Sequence, residues 1–137
     1  MPLMSWENRY SVHLPNIDAQ HKKLFDLINQ LHDAMGQGRA NEVMGKILTE
    51  LVAYTKTHFQ AEEALLKSKN YPDLAAHQQQ HRKFTDQVMQ FEKDFSEGRA
   101  TISIKMMNFL RDWLTQHILQ TDQRYSAFLQ AKGQAAS

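Results

Sequence analysis

Apolar residues recur at steps of three and four along four stretches of this chain, and short segments containing Gly or Pro separate the stretches. This spacing is typical of α-helices that bury one face. The pattern predicts helices over residues 18–35, 41–68, 72–98 and 102–119, a short helix over 123–129, and an irregular N-terminal arm over 1–17. Asp18 is the predicted N-cap of the first helix, and Gly36, Gly38 and Gly98 are predicted to stop helices.

The predicted helices are long and their connections are short, about four to six residues each. Short connections place consecutive helices side by side and antiparallel. We therefore expect an all-α protein: an antiparallel up-down-up-down four-helix bundle, built as a single domain over residues 1–137. The predicted inward apolar positions are Leu24, Leu27, Ile28, Leu31 and Met35; Met44, Ile47, Leu48, Leu51 and Leu65; Phe84, Val88, Phe91 and Phe95; and Met106, Leu110 and Leu114.

Composition narrows the possible functions. The formal net charge is +1 and no basic stretch stands out, which argues against nucleic acid as a partner. There is no cysteine, which excludes thiolate-bound iron–sulfur clusters and cysteine-attached haem, and which fits a cytoplasmic location. The most apolar stretch contains Lys105, Arg111 and Asp112, so no membrane span is expected. The outer helix faces are polar, which favours a monomer.

Several histidines and acids interrupt the apolar faces. They are His21, His58, Glu62, His77, His81, His117 and Asp122. The pairs His58/Glu62 and His77/His81 are four residues apart, and four residues turn an α-helix by about 400°, so each pair shares one face. His13 and His32 lie off these faces and are interpreted as surface residues.

Imidazole and carboxylate ligands together suit first-row transition metals. Burying so many polar groups without partners would cost several kcal/mol each, which a metal pair would offset. The set is too large for one ion and is enough for two. If both carboxylates and one solvent oxygen bridge two octahedral metals, three histidines complete one metal, and two histidines leave one position open on the other. Spacing alone leaves iron, zinc and manganese as alternatives.

Four segments resemble the hemerythrin family, and within it the single-domain bacteriohemerythrins. They are Ile17-Asp18-Ala19-Gln20-His21-Lys22, His58-Phe59-Gln60-Ala61-Glu62-Glu63, His77-Gln78-Gln79-Gln80-His81, and Trp113-Leu114-Thr115-Gln116-His117-Ile118 with Asp122 five residues after His117. The resemblance runs from about residue 5 to residue 129. It implies a four-helix bundle that binds O2 reversibly at two iron ions, joined by an oxo or hydroxo bridge.

The resemblance also implies a role for each ligand. His77, His81 and His117 would hold the six-coordinate iron. His21 and His58 would hold the iron with the open position, and Glu62 and Asp122 would bridge the two. In the family, the position of Leu114 lines the O2 pocket; Trp113, Ile118, Phe59 and Leu24 are further candidates for that pocket.

Two classes of function follow. The first is a non-enzymatic O2 binder for storage, for delivery to an oxygen-consuming enzyme, or for sensing of O2 or redox state. The second is a di-iron enzyme such as an oxygenase, a ferroxidase or a peroxide-handling protein. Ferritin-like oxygen-activating bundles use Glu-x-x-His motifs, and this chain contains none. We therefore expect an oxygen carrier with no catalytic residues. Glu63, Gln20 and Gln116 are candidate hydrogen-bond partners of the ligating imidazoles.

Overall fold

A computed structural model describes residues 3–99 and 101–131, so residues 1–2, 100 and 132–137 of the predicted domain lie outside the described residues. Four helices form a bundle, as the sequence predicts. They are α1 (Pro15–Gly36), α2 (Asn41–Ser68), α3 (Leu74–Ser96) and α4 (Ile104–Gln116). After α4 the chain continues through one π-helical turn (His117–Asp122) into a final helix, α5 (Gln123–Ala131).

Three of these helices end in the same way. Gly38, Asn70 and Gly98 follow α1, α2 and α3 with φ angles of 66°, 57° and 77°, in the left-handed region. The N–H of Arg39 donates to the carbonyl of Ala34 at 3.0 Å, and equivalent bonds close the other two ends. Glycine and asparagine tolerate this conformation better than other residues do. The predicted stops at Gly38 and Gly98 are confirmed.

The start of α1 differs from the prediction. The helix begins at Pro15, one turn before Asp18, because proline fits the first helical position without losing a hydrogen bond. Asp18 therefore lies in the first turn, where it accepts hydrogen bonds from the Ser11 hydroxyl at 2.6 Å and the Val12 N–H at 2.9 Å. Its role is to tie the N-terminal arm to α1. That arm also contains a short 3-10 helix, Asn8–Tyr10.

The fourth helix also differs from the prediction. It begins at Ile104, and the helical conformation continues through the π-helical turn and α5 to Ala131. The sequence predicts instead that the fourth helix stops near Leu119. Its fully buried methionine is Met107, and Met106 is only half-buried. Because the two methionines are adjacent, the sequence does not show which of them faces the core, and packing against the other helices decides it.

The core consists of two apolar clusters that lie one above the other along the bundle axis. The larger fills the space between the four helices and includes Leu24, Phe84 and Leu114. The smaller lies beneath α5 and includes Ile17, Leu66 and Tyr125 among others. Leu66, at 0% exposure, takes the buried position that was predicted for Leu65.

On each helix, the polar residues singled out in the sequence fall between the part that joins one apolar cluster and the part that joins the other. The bundle therefore holds a polar layer between two apolar ones. Within residues 3–99 and 101–131, no helix is both long enough and apolar enough to cross a membrane.

Candidate metal centre

All seven histidine and acid residues predicted as ligands meet in this polar layer. Each is buried, with at most 5% of its surface exposed, the highest value being that of His117. Potential ligand atoms lie close together in two groups that share one carboxylate. The groups are Glu62, His77, His81, His117 and Asp122, and His21, His58 and Glu62.

Glu62 presents a different oxygen to each group. Its Oε1 lies 2.7 Å from Nε2 of His77 and 3.1 Å from Nε2 of His81. Its Oε2 faces the other way, at 3.7 Å from Nε2 of His21 and 3.6 Å from Nε2 of His58. The carboxylate of α2 therefore spans the space between three helices.

Asp122 divides its two oxygens in the same sense. Its Oδ1 lies 3.3 Å from Nε2 of His77 and 3.1 Å from Nε2 of His117, while its Oδ2 lies 3.3 Å from Nε2 of His21. Both carboxylates thus direct one oxygen to a side with three histidines and the other oxygen to a side with two. The fold therefore divides the five histidines unequally between the two sides of these carboxylates.

The π-helical turn explains how His117 and Asp122 reach the same site. In an α-helix, residues five apart differ in direction by about 140°, so both could not face the bundle axis. The wider π-helical turn pairs residue i with residue i+5. Because the turn covers Asp122 and begins at His117, it brings their side chains together, with Nε2 and Oδ1 3.1 Å apart. The sequence shows the spacing of five but gives no local signal for the turn.

The residues fit a pair of metal ions. Among the described residues, His21 finds no hydrogen-bond partner at either ring nitrogen, and Asp122 finds none at either oxygen, although these atoms are buried. Nε2 of His81 and Nε2 of His117 face each other at 3.1 Å, where at most one of them can donate a proton. Metal–ligand bonds of about 2.1 Å place neighbouring ligand atoms roughly 3 Å apart, which matches these separations. A metal would satisfy the atoms that the protein leaves unpaired.

The site is strongly polarised in the absence of metal. For His21, burial opposes the charged form, but the nearby carboxylates of Asp122 and Glu62 outweigh it and raise the pKa to about 9. For Asp122, burial and the charge of Glu62 oppose ionisation, yet His117 and His21 lower its pKa to about 2. Contacts with three histidines also hold the pKa of Glu62 well below its usual range, despite its burial. Both carboxylates are therefore charged and ready to bind cations.

Three of the imidazoles have a fixed partner on the side facing away from the centre. Nδ1 of His58 lies 2.6 Å from Oε1 of Gln20, and Nδ1 of His81 lies 2.8 Å from Oε2 of Glu63. Nδ1 of His117 lies 3.1 Å from Oε1 of Gln80, a residue the sequence analysis did not single out, whereas Gln116 was proposed. Since these oxygens accept, each Nδ1 carries a proton, which leaves Nε2 as the nitrogen that would bind a metal.

Tyr125 is a residue of the site that the sequence analysis missed. It lies on α5, is 0% exposed, and donates a hydrogen bond from its hydroxyl to Oε2 of Glu62 at 2.8 Å. Its spacing of three from Asp122 was the available signal, since residues three apart share a helix face. A tyrosine with that spacing is so often a core residue that the pattern alone does not identify it.

The predicted pocket residues separate into two sets. Leu24, Phe59 and Leu114 line one narrow, enclosed cavity, together with Ile28, Leu51, Thr55, Phe84, Val88 and Leu110. Trp113 and Ile118 do not line it. Trp113 is half-buried and stacks on His117, with ring centres 4.5 Å apart and planes 12° apart. Ile118 is fully buried in the π-helical turn.

The two histidines interpreted as surface residues differ from one another. His13 is exposed, as predicted. His32 is half-buried on α1, and its buried Nδ1 has no hydrogen-bond partner in the part of the chain that the structure describes, so the surface interpretation is wrong for it. A helix in a bundle has flanks that are neither core nor surface, and periodicity alone does not distinguish them from the solvent-facing side.

Comparison with known proteins assigns the family. The hemerythrin family model, described as "Hemerythrin HHE cation binding domain", matches residues 12–129. A bacteriohemerythrin of Methylococcus capsulatus is 36% identical over 132 residues, 96% of this chain and 100% of that protein. A hemerythrin-like protein of Naegleria gruberi is 31% identical over 125 residues, 91% of this chain and 92% of that protein.

Solved structures agree. A crystal structure of wild-type hemerythrin superposes with a TM-score of 0.88 at 32% identity, covering 98% of this chain and 99% of that chain. A hemerythrin variant with one leucine replaced by alanine gives 0.89 at 34% identity, covering 93% and 97%. The chain belongs to the hemerythrin family, whose members hold a di-iron centre and are generally oxygen binders.

Proposed function

We propose that this protein binds O2 reversibly at a di-iron centre held by His21, His58, Glu62, His77, His81, His117 and Asp122. The observation that carries the proposal is the division of both carboxylates between a side with three histidines and a side with two. His77, His81 and His117 would hold one iron, His21 and His58 the other, and Glu62 and Asp122 would bridge them.

The uneven ligand count favours binding of a small molecule on one side. With one oxygen from each carboxylate, the protein offers five atoms to one iron and four to the other. If the two irons share one further oxygen ligand, the side with His21 and His58 keeps one open position in an octahedral site. A pair of ferrous ions held there would supply two electrons to O2 when it binds and take them back when it leaves.

An apolar cavity lies about one helical turn from the ligand residues, within the larger apolar cluster. Leu24 is one turn after His21 on α1, and Thr55 is one turn before His58 on α2, and both line the cavity. Of the described residues that line it, only Thr55 has a polar side chain, and its hydroxyl donates to the carbonyl of Leu51 at 2.7 Å and so offers little to water. A narrow apolar space of this kind suits an uncharged diatomic molecule and keeps water away. Leu114 and Phe59 complete the wall nearest the site.

We further propose that the protein carries out no catalytic turnover and acts as a monomeric single domain. Storage of O2, or its delivery to an oxygen-consuming enzyme, would be its role in the cell. The high nitrogen content of the site supports the absence of catalytic turnover. Five imidazoles and two carboxylates bring less negative charge to the irons than the carboxylate-rich sites of oxygen-activating bundles do.

The test uses the iron-loaded protein. It is reduced without oxygen, exposed to O2 and then degassed over repeated cycles, while the oxygen-dependent charge-transfer absorption is recorded and iron is counted. We expect two irons per chain and a band that appears and disappears with O2. His58→Ala should abolish the band, while His13→Asn, at an exposed histidine, should leave it intact. Irreversible bleaching with stoichiometric formation of a product would favour an enzyme and contradict the proposal.

A further inference from the structure

The hydroxyl of Tyr125 is the one hydrogen-bond donor that the described residues place on Oε2 of Glu62. Oε1 of the same carboxylate is held by Nε2 of His77 at 2.7 Å and of His81 at 3.1 Å. Oε2 lies 3.6 Å or more from the imidazoles it faces, beyond hydrogen-bond range, and of the residues described Tyr125 alone reaches it, at 2.8 Å. The two oxygens of the bridging carboxylate are thus fixed by different parts of the protein.

We infer that Tyr125 is a positioning residue, whose hydroxyl holds Oε2 of Glu62 towards His21 and His58 and so makes this carboxylate able to bind the metal on the two-histidine side. The inference rests on the proposed di-iron function. It assigns to α5, which supplies no ligand, a specific task at the iron where O2 is expected to bind.

The flexibility of a glutamate side chain explains why such a residue is needed. The torsion that turns the carboxylate of Glu62 has broad minima, so one anchored oxygen does not fix the other. Asp122 has a shorter side chain and one rotatable bond fewer, and within residues 3–99 and 101–131 neither of its oxygens has a hydrogen bond. Glu62 is therefore the bridging group whose geometry depends on a neighbour.

The environment of Tyr125 suits a permanent donor. The ring is buried against His77, at 5.6 Å between ring centres, and against Tyr71, at 6.3 Å. Burial and the two nearby carboxylates hold the pKa of Tyr125 well above its usual range, so the hydroxyl keeps its proton at all ordinary pH values.

Two effects of this hydrogen bond oppose each other at the metal. It draws negative charge from Oε2, which weakens the bond of that oxygen to a metal, and it orients the oxygen, which strengthens the bond. For hydrogen-bond partners of metal ligands, orientation usually dominates, and removing the partner costs about 10- to 100-fold in metal affinity. Loss of the hydroxyl should therefore loosen the iron on the two-histidine side, and should affect the iron beside His77 and His81 less, because Tyr125 does not contact Oε1, the oxygen that faces those histidines.

The test compares the release of each iron. Wild-type protein, Tyr125→Phe and Tyr71→Phe are loaded with iron-57 and challenged without oxygen by the ferrous chelator ferrozine. The released iron is followed by absorbance, and the irons that remain are distinguished by Mössbauer spectroscopy. In Tyr125→Phe we expect one iron per chain to leave about tenfold faster or more, and the emptied environment to be the one with fewer nitrogen ligands. The other iron should leave at close to the wild-type rate.

Tyr71→Phe is the matched control. It removes the hydroxyl of another buried tyrosine, 7% exposed, that contacts the Tyr125 ring without touching Glu62. It should release both irons as the wild type does. Tyr125→Leu, a second variant without the hydroxyl, should show the same preference for one iron, and circular dichroism checks that each variant is folded.

The possible outcomes are distinguishable. Equal acceleration of both irons would mean that Tyr125 supports the site only as packing, and unchanged release would mean that it does nothing for the metals; either result overturns the inference. If the wild type itself fails to hold two irons, the di-iron proposal fails, and the inference falls with it.

Discussion

The pKa values of two buried histidines, His21 and His58, lead us to predict an unusual dependence of stability on pH for the metal-free protein. Both are almost completely buried and face the same carboxylates, yet their pKa values move in opposite directions. Burial lowers the pKa of His58 from 6.5 to about 4, and Glu62 offsets this only in part. At His21 burial acts in the same direction, but the nearby carboxylates of Asp122 and Glu62 outweigh it and raise the pKa from 6.5 to about 9.

Each shift contributes to the free energy of unfolding in a defined pH range. Between about pH 6.5 and 4, the unfolded chain protonates His58 and the folded one does not, so stability falls as pH falls. Between about pH 6.5 and 9, the folded chain keeps a proton on His21 that the unfolded chain loses, so stability falls as pH rises. At 1.36 kcal/mol per pKa unit, each range amounts to about 3 kcal/mol. His81, whose pKa is also raised by Glu62 and Glu63 against its burial, adds to the alkaline loss.

We therefore expect a maximum of stability near pH 6.5 and a loss of about 3 kcal/mol on each side, a large part of the 5–15 kcal/mol typical of a domain. Below about pH 4 the loss should steepen, because Asp122, with its pKa of about 2, and Glu62 then protonate in the unfolded chain first. The assay is urea unfolding of chelator-treated protein, followed by far-ultraviolet circular dichroism from pH 4 to pH 10.

Variants separate the two sides of the profile. His58→Leu removes the titrating group responsible for the acid side and should flatten the profile between pH 4 and pH 6.5. His13→Asn is the control, since His13 is exposed and has a left-handed backbone conformation that asparagine accepts. A wild-type stability that stays constant within about 1 kcal/mol from pH 6.5 to pH 9 would refute the charged His21 and the electrostatic reasoning built on it.

Two further predictions concern single side chains. Leu114 is only 4% exposed in the cavity wall, so Leu114→Ala should lower the free energy of unfolding by about 2–5 kcal/mol, measured by urea unfolding. By admitting water it should also speed autoxidation of the oxygenated protein, measured by the decay of the oxygen-dependent band, and an unchanged autoxidation rate would count against the pocket assignment. His77→Ala should lose iron and much of the bundle's stability, because it leaves the charged oxygens of Glu62 and Asp122 buried with fewer partners; full iron loading of this variant, measured by elemental analysis, would remove His77 from the ligands.

The limits of the helix predictions have particular causes. At the start of α1, two signals compete: Asp18 is a good N-cap, and Pro15 is a good first helical residue. The structure follows Pro15 because Asp18 then pairs with the Ser11 hydroxyl and the Val12 N–H, contacts that depend on how the N-terminal arm folds back. The sequence contains both signals and does not rank them.

The ligand residues themselves were accessible from the sequence because the relevant geometry is local. His58 with Glu62, and His77 with His81, are placed together by the α-helix alone, whatever the rest of the chain does. His117 and Asp122 are different, because their spacing of five meets at one site only through the π-helical turn. The carboxylate of Asp122 lies against histidines of α1 and α3 there, so contacts between helices select the turn.

The sequence by itself determined the four amphipathic helices and the shared faces of His58 with Glu62 and of His77 with His81, because hydrophobic period and side-chain spacing are properties of neighbouring residues. Only the tertiary structure decided which oxygen of Glu62 and Asp122 faces which histidines, that Gln80 supports His117, and that Tyr125 reaches Glu62. These features join residues that are far apart in the chain. They depend on the rotation and height of each helix relative to the others, which packing of the two apolar clusters fixes.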